Sequence, residues 1–432
     1  MTTRAPGRSA RGNVLLGLSA TLLLASGGLL AYFFVAGASD TGVAEAADQP
    51  AAAPSRVDVA ALRATSVGLK VDDQSVARTW SQLGLVDDHG TPSIDRDKAV
   101  AALRQIKADV DQAPSNARMD LRAHKIYKSK DGRVVDLYGA ISALEAAVAT
   151  GATSIQLPVT ELPARVTTKT LGIDDISHVL GHFSTKFSVA EKLRNSNLKL
   201  AASHLDGYVL QPGVEFSFND VVGARTEKEG YKIAHVILGG ELVDGEAGGT
   251  CQVSTTLHGA SFFAGLDIIK GRPHSRPSTY VTMGLDATVV YPVTDLKLRN
   301  PYDFPVVISY KVARGEARVE ILGKERPYDK VGFEREIVEK DDFDTVTRED
   351  DNIPIGYMVV DQLGFPGYKV NRYRKFYRGK KLVKTNKWKL VYRPVTEYVR
   401  VGANPDPNLP PPKAHKPHGP HPPPKGIFRL SQ

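Results

Sequence analysis

Cysteine is almost absent from this sequence, because Cys251 is the only one among 432 residues. A single thiol cannot build a disulfide framework within the chain, and it excludes zinc fingers that depend on cysteine ligands. The His-Glu-x-x-His spacing of zinc proteases is also missing. Helix-turn-helix and aromatic RNA-binding motifs are missing too, and we therefore expect no nucleic-acid partner.

Acidic residues are outnumbered by basic ones, and the formal net charge at pH 7 is +8. Such a surface attracts polyanions, which include anionic lipid head groups and anionic extracellular polymers. The hydrophobic content of 42% and the charged content of 24% are ordinary for a globular chain. The length of 432 residues predicts about two to four folded domains.

The N-terminus combines three arginines with a long apolar run and no acidic residue before it. Arg4, Arg8 and Arg11 precede residues 14–38, which are 25 positions without a charge. A helix of that length crosses a hydrocarbon core of about 30 Å, and the arginines place its start in the cytoplasm. We therefore expect a single-pass anchor in the cytoplasmic membrane, with residues 1–13 inside the cell.

The alternative to an anchor is a cleaved signal peptide. Small residues occur at positions 35–38 and 43–46, where a signal peptidase would cut. Residues 39–56 are rich in Ala, Gly, Asp and Pro and are typical of a linker. Both interpretations place the rest of the chain outside the cytoplasmic membrane.

Residues 57–166 show a mixture of helix and strand patterns. We predict a helix over residues 73–83, a second helix that ends near Val110, and a third that begins after Asp136 as its N-cap. No catalytic set of residues occurs in this segment. Its layout resembles the modules that precede many wall-active domains, which implies peptidoglycan binding.

The only cysteine follows a glycine pair and precedes a helical pattern. Gly248 and Gly249 permit a tight turn, and residues 252–264 carry apolar side chains at helical spacing. We therefore expect Cys251 in the first turn of a helix, where unpaired N–H groups and the helix dipole favour a thiolate. The alternative is that Cys251 is a small buried hydrophobic residue, as lone cysteines often are.

Further motifs surround this stretch in a fixed order. They are FSTKF (183–187), RNSNL (194–198), QPGVEFSFN (211–219), GART (223–226), GGTCQVSTTL (248–257), RPHS (272–275), GLDATV (284–289) and DLKLRN (295–300). Over about residues 180–312 this series resembles the VanW family. The resemblance implies a non-standard L,D-transpeptidase that cross-links peptidoglycan through Cys251.

The thiol would need a basic partner, an orienting group and donors for an oxyanion. His274 is the predicted partner, because an imidazole forms an ion pair with a thiolate near neutral pH, and Asp286 is the predicted orienting group. The backbone N–H groups of Cys251 and Gln252 are candidate oxyanion donors. His258 departs from the family pattern, and we assign it no catalytic role.

Four further residues are predicted to contact the substrate. Arg225 offers a planar guanidinium for a substrate carboxylate. Gln252, Ser254 and Thr255 would line the site, although consecutive helix positions point in different directions. We expect no cofactor and no metal ion.

Residues 325–402 are rich in strand patterns. Glycines recur around the run QLGFPGY at 362–368, and the segment resembles the G5 domain, which implies an extended β module that binds wall sugars. The alternative is a plain β spacer. Residues 403–432 are rich in Pro, His and Lys and predict a disordered tail.

Together these patterns predict an α+β protein with an N-terminal transmembrane helix. A mixed α/β module (57–166), a central α+β domain (167–324) and a C-terminal β module (325–402) would follow. The expected function is L,D-transpeptidation of peptidoglycan. Two alternatives stay open: a non-catalytic peptidoglycan-binding protein, and a cysteine carboxypeptidase or amidase that transfers the acyl group to water. The oligomeric state does not follow from the sequence.

Overall fold

The structure, a computed structural model, describes residues 57–238, 241–413 and 427–432. The expected anchor at residues 14–38, with its flanking basic and linker segments, lies outside the described residues. Among the helices that are described, none combines the length and the apolar character needed to cross a bilayer. The mixture of helices and strands confirms the predicted α+β class.

The N-terminal module consists of short strands and three helices. Its elements are α1 (Val59–Ala64), β1 (Ser66–Val71), β2 (Gln74–Thr79), β3 (Leu85–Asp88), β4 (Thr91–Ile94), α2 (Arg96–Val110), β5 (Arg118–Asp120), β6 (Lys125–Tyr127), β7 (Gly132–Val135), α3 (Leu137–Val148), β8 (Ser154–Gln156) and β9 (Val159–Leu162). Strand β1 pairs antiparallel with β2 and parallel with β8. Helices α2 and α3 bury one apolar face each in a shared core.

Two of the three predicted helices in this module are confirmed. Helix α2 ends at Val110, and α3 begins after Asp136, whose side chain accepts from the backbone N–H of Tyr138. The prediction of a helix over residues 73–83 is wrong. Asp72 adopts the left-handed conformation (φ 49°), which turns the chain back on itself so that β2 pairs with β1.

The central domain is built around one helix, α7 (Thr250–Phe263), and two sheets. The first is a four-stranded antiparallel sheet in the order β10 (His178–Lys186), β18 (Glu316–Gly323), β17 (Val306–Ala313), β11 (Val209–Leu210). The second has the order β12 (Glu215–Ser217), β16 (Lys297–Arg299), β15 (Asp267–Lys270). The elements are α4 (Thr168–Leu171), β10 (His178–Lys186), α5 (Lys192–Ser203), β11 (Val209–Leu210), β12 (Glu215–Ser217), α6 (Phe218–Val222), a 3-10 turn (Glu227–Glu229), β13 (Ile233–Leu238), β14 (Glu241–Glu246), α7 (Thr250–Phe263), β15 (Asp267–Lys270), β16 (Lys297–Arg299), β17 (Val306–Ala313) and β18 (Glu316–Gly323).

Helix α7 is enclosed by protein along its whole length. Every one of its residues is buried except Cys251, which is partly exposed. Gly259 lets the helix approach β10 closely, because a Cβ atom at this position would lie 2.4 Å from the ring of Phe183. The nucleophile candidate is therefore the one side chain of α7 that solvent can reach.

The C-terminal module consists of long β-strands in two sheets. Its strands are β19 (Lys330–Asp341), β20 (Thr345–Pro354), β21 (Met358–Gln362), β22 (Gly367–Arg378), β23 (Lys381–Tyr392), β24 (Glu397–Asn404) and β25 (Phe428–Ser431). One sheet has the order β23-β22-β19-β25 and the other β20-β24-β21.

The end of the chain differs from the expected disordered tail. Strand β25 pairs antiparallel with β19, and Phe428 packs beneath the guanidinium of Arg335. This edge position partly buries the Phe428 side chain, which composition alone does not distinguish from the Pro- and His-rich residues before it. The prediction for residues 414–426 concerns positions outside the described residues.

The C-terminal module packs directly on the central domain. Phe262 and Phe263, at the end of α7, share a core with Phe333 and Phe376 of the β-module. The rings of Phe262 and Phe333 meet edge to face at 5.8 Å. The module is therefore joined to the central domain by an apolar interface, which a plain spacer would not need.

Candidate active site

The start of α7 depends on a glycine that no other residue can replace without strain. Gly249 caps the helix with φ 106°, and a Cβ atom there would lie 2.3 Å from Leu198 Cδ1. The next turn then carries Cys251 as the second residue of α7. The structure thus places the thiol in the first helical turn, as the glycine pair predicts.

The Cys251 sulfur lies against the segment that follows Asp286. Its thiol donates to Val289 O over 3.4 Å and lies 3.5 Å from Thr288 Oγ1. Within the described part of the chain, the backbone N–H of Cys251 has no acceptor, whereas the N–H of Gln252 donates to Gly249 O over 2.9 Å. Of the two predicted oxyanion donors, only the N–H of Cys251 is available.

His274 and Asp286 form a buried pair beside the thiol. His274 Nδ1 lies 3.0 Å from Asp286 Oδ2, and the backbone N–H of His274 donates to the same oxygen over 2.7 Å. The hydroxyl of Tyr280 lies 3.4 Å from His274 Nε2. Because Nδ1 is engaged by the carboxylate, Nε2 is the ring nitrogen that remains for the thiol.

The charges of this group favour a thiolate–imidazolium pair. Burial alone would raise the pKa of Cys251, but a side-chain hydrogen bond from His274 and its positive charge lower that pKa to about 7. Burial would likewise lower the pKa of His274, yet Tyr280, Asp286 and the sulfur together raise it well above its ordinary value. Proton transfer from sulfur to imidazole is therefore favourable near neutral pH.

Asp286 stays ionised in spite of its burial. Burial would raise its pKa, but hydrogen bonds and charge from His274 and a hydrogen bond from Tyr392 lower the pKa to about 2. Tyr392 belongs to the C-terminal module, 106 positions further along the chain, and its hydroxyl donates to Asp286 Oδ1 over 2.6 Å. No local pattern in the sequence indicates this contact.

Arg225 lies within electrostatic range of the sulfur. It is buried, its Nη2 donates to Asn219 Oδ1, and its guanidinium lies 5.1 Å from the ring centre of Phe218. Burial lowers the pKa of Arg225, and the charge of Cys251 opposes that shift. Its Nε is buried and has no partner among the described residues.

Gln252, Ser254 and Thr255 lie next to Cys251 on α7, and their polar atoms are hydrogen-bonded within the protein. The amide of Gln252 is used by Arg194, Thr185 and the carbonyl of Lys186. The hydroxyls of Ser254 and Thr255 donate to Ala287 O over 2.6 and 3.2 Å, and both residues are fully buried. Their polar atoms fix α7 to its neighbours, and a role of these side chains in substrate binding stays a prediction.

His258 has a structural role that the sequence does not reveal. Burial and the charge of Arg372 lower its pKa to about 3, so the ring is neutral. Its Nδ1–H donates to Leu285 O over 2.8 Å, and its Nε2 accepts from Arg372 Nη1 over 3.3 Å. His258 thereby ties α7 to the loop before Asp286. Among the described residues, no group of three or more His, Cys, Asp or Glu could hold a metal ion.

Two protein families match this chain. The family described as VanW like protein matches residues 193–322, and the G5 domain family matches residues 334–404. The first segment contains Cys251, His274 and Asp286, and the second contains Tyr392. The two matches coincide with the central domain and the C-terminal module of the structure.

Two curated proteins are similar in sequence. "Uncharacterized protein YoaR" of Bacillus subtilis (strain 168) is 34% identical over 227 residues, which cover 51% of this chain and 73% of that protein. "Vancomycin B-type resistance protein VanW" of Enterococcus faecalis (strain ATCC 700802 / V583) is 35% identical over 112 residues, which cover 25% of this chain and 41% of that protein. A solved structure, "IgA1 Protease G5 domain structure", is 23% identical with a TM-score of 0.13 and covers 18% of this chain and 96% of that one.

Proposed function

This chain belongs to the VanW-like protein family and carries a G5 domain, and from that premise we propose that it is a cell-wall enzyme. The proposed reaction is L,D-transpeptidation of peptidoglycan through a cysteine acyl-enzyme. The observation that carries the proposal is the arrangement of the partly exposed thiol of Cys251 beside His274, whose second ring nitrogen is bound by buried Asp286.

In the first half-reaction, the thiolate of Cys251 attacks the carbonyl of the third residue of a tetrapeptide stem. A C–S bond forms, the C–N bond to the terminal D-Ala breaks, and the imidazolium of His274 gives its proton to the leaving amine. The backbone N–H of Cys251 would donate to the oxyanion at the helix start. Arg225 would bind the carboxylate of the stem, since its guanidinium lies within electrostatic range of the Cys251 sulfur.

In the second half-reaction, the side-chain amine of a neighbouring stem attacks the thioester. The neutral imidazole of His274 accepts the amine proton, a new C–N bond forms, and the C–S bond breaks to release a 3-3 cross-link. If water took the place of the amine, the product would be a free tripeptide stem. No cofactor enters either half-reaction.

The cellular setting we propose follows from the same assignment. Peptidoglycan stems lie outside the cytoplasmic membrane, and an N-terminal anchor at residues 14–38 would hold the body there. The net charge of +8 supports attraction to anionic wall polymers. The G5 domain would add contacts to wall sugars.

The test is intact-protein mass spectrometry of residues 56–432 after incubation with tetrapeptide muropeptides. We expect an adduct with the mass of a tripeptide stem on the wild type and none on Cys251→Ala, whose thermal melting and binding to sacculi should match the wild type. Released cross-linked dimers would identify transfer, and free tripeptides would identify hydrolysis. If folded wild-type protein binds sacculi but forms neither adduct nor product, the enzyme assignment is wrong and a binding protein remains.

A further inference from the structure

The hydroxyl of Tyr392, at the end of β23, holds the carboxylate of Asp286 from the C-terminal module. It donates to Asp286 Oδ1 over 2.6 Å and accepts from the backbone N–H of Gly284 over 2.7 Å. Burial raises the pKa of Tyr392 well above its ordinary value, so the phenol is neutral. A neutral phenol beside a carboxylate must act as the donor, which fixes the direction of the bond.

Two buried arginines of the same module hold the loop before Asp286. Arg372 Nη1 donates to Gly284 O over 2.9 Å, and Arg335 Nη1 donates to Thr282 Oγ1 over 3.2 Å. These residues come from β22 and β19, so three strands of the C-terminal sheet contact residues 282–286. Met283, in the same loop, packs in a core cluster with Tyr392.

The two oxygens of Asp286 therefore have different partners. Oδ2 accepts from the backbone N–H and the ring of His274, and Oδ1 accepts from Tyr392 and, over 3.2 Å, from Gly284 N–H. Donors on both oxygens prevent the carboxylate from rotating. The ring of His274 is consequently held in one orientation toward the thiol of Cys251.

We propose that Tyr392 is a positioning residue for the Cys251–His274 pair, and that the C-terminal G5 domain is part of the active site. This inference rests on the proposed function in taking Cys251 as the nucleophile. Without the hydroxyl, Asp286 Oδ1 would keep only the longer bond from Gly284 N–H. The carboxylate could then turn, and the thiolate would lose its oriented partner.

The alkylation rate of the protein by iodoacetamide, followed across about pH 5 to 9, tests this role. The chain has one cysteine, so the rate reports on Cys251 alone. For Tyr392→Phe we expect the midpoint of the profile to rise by about one pH unit, which lowers the thiolate fraction and the rate at pH 7 roughly five-fold. Tyr368→Phe is the matched control, since Tyr368 lies in the same buried cluster and is not bonded to Asp286.

A double variant shows whether Tyr392 acts through Asp286. Asp286→Asn should shift the profile at least as far as Tyr392→Phe, and adding Tyr392→Phe to Asp286→Asn should cause no further shift. Arg372→Lys perturbs the same loop at Gly284 O and should shift the midpoint in the same direction, so it replaces Tyr392→Phe if that variant melts early.

Two results would overturn the positioning role. One is a Tyr392→Phe profile that coincides with that of Tyr368→Phe. The other is a shift to lower pH, which would mean that the lost donor only made Asp286 more basic. Because no stem peptide is used, this outcome is independent of whether acyl transfer is detected. If the alkylation profiles shift as expected but no acyl transfer is detected, the proposed reaction is wrong and the positioning role of Tyr392 stands.

Discussion

Replacement of His274 by glutamine should return the thiol of Cys251 to an ordinary or higher pKa. The pKa is about 7 in the native site against an ordinary value of 9.0, and burial by itself opposes ionisation. A return to 9.0 is a change of two units, which corresponds to about 2.7 kcal/mol at about 1.36 kcal/mol per unit. The thiolate fraction at pH 7 would fall from about one half to about 1%.

Thiolate absorbance at 240 nm measures this change directly. The chain has a single thiol, and the ordinary pKa of a tyrosine side chain is near 10, so a titration from about pH 5 to 9 isolates Cys251. His182→Gln is the control. His182 lies on β10, beside Arg318 and Glu320 of the neighbouring strand β18, and not at the thiol. Equal midpoints for His274→Gln and the wild type would mean that His274 does not lower the pKa of Cys251 and that the helix start does so instead.

Three further changes test the surrounding structure by urea or thermal unfolding. Between about pH 4 and 2 the wild type should lose about 2 kcal/mol of unfolding free energy, and Asp286→Asn should not. The fold lowers the pKa of Asp286 from 3.8 to about 2, and the stability that the ionised carboxylate contributes disappears as the pH falls through about 2. Gly259→Ala should destabilise by about 1–3 kcal/mol although alanine favours helices, since Phe183 occupies the space. Arg374→Met should lower the free energy of unfolding by about 1.5–3 kcal/mol, because the hydrogen bonds from Arg374 to the end of α7 are lost. Arg378→Met should lower it much less, because Arg378 is exposed.

The sequence correctly predicted those features that depend only on residues close to each other in the chain. Asp136 as a helix cap and the glycine pair before Cys251 act within a few residues, and the structure has both features. The substrate role predicted for Ser254 and Thr255 depends on the fold as a whole. A polar side chain on a helix can face a ligand or a neighbouring carbonyl, and only the fold decides that Ala287 O receives both hydroxyls.

The contact between Tyr392 and Asp286 could not be predicted from the sequence alone. The two residues are 106 positions apart and belong to different modules, so no spacing rule connects them. His258 illustrates the same limit: as a sequence feature it is a departure from a family motif. In the structure it is a neutral ring between Arg372 and the carbonyl of Leu285.

The C-terminal module contacts both structures that set the geometry of the thiol. At the end of α7, Arg374 Nη1 donates to Leu266 O over 2.7 Å and to Phe262 O over 3.3 Å, and its positive charge complements the negative end of the helix dipole. Beside the site, Tyr392 holds Asp286. The helix that carries Cys251 and the carboxylate that orients its partner therefore share one support. A displacement of the sheet would change the position of the thiol relative to His274, and this is why we regard the G5 domain as a component of the site.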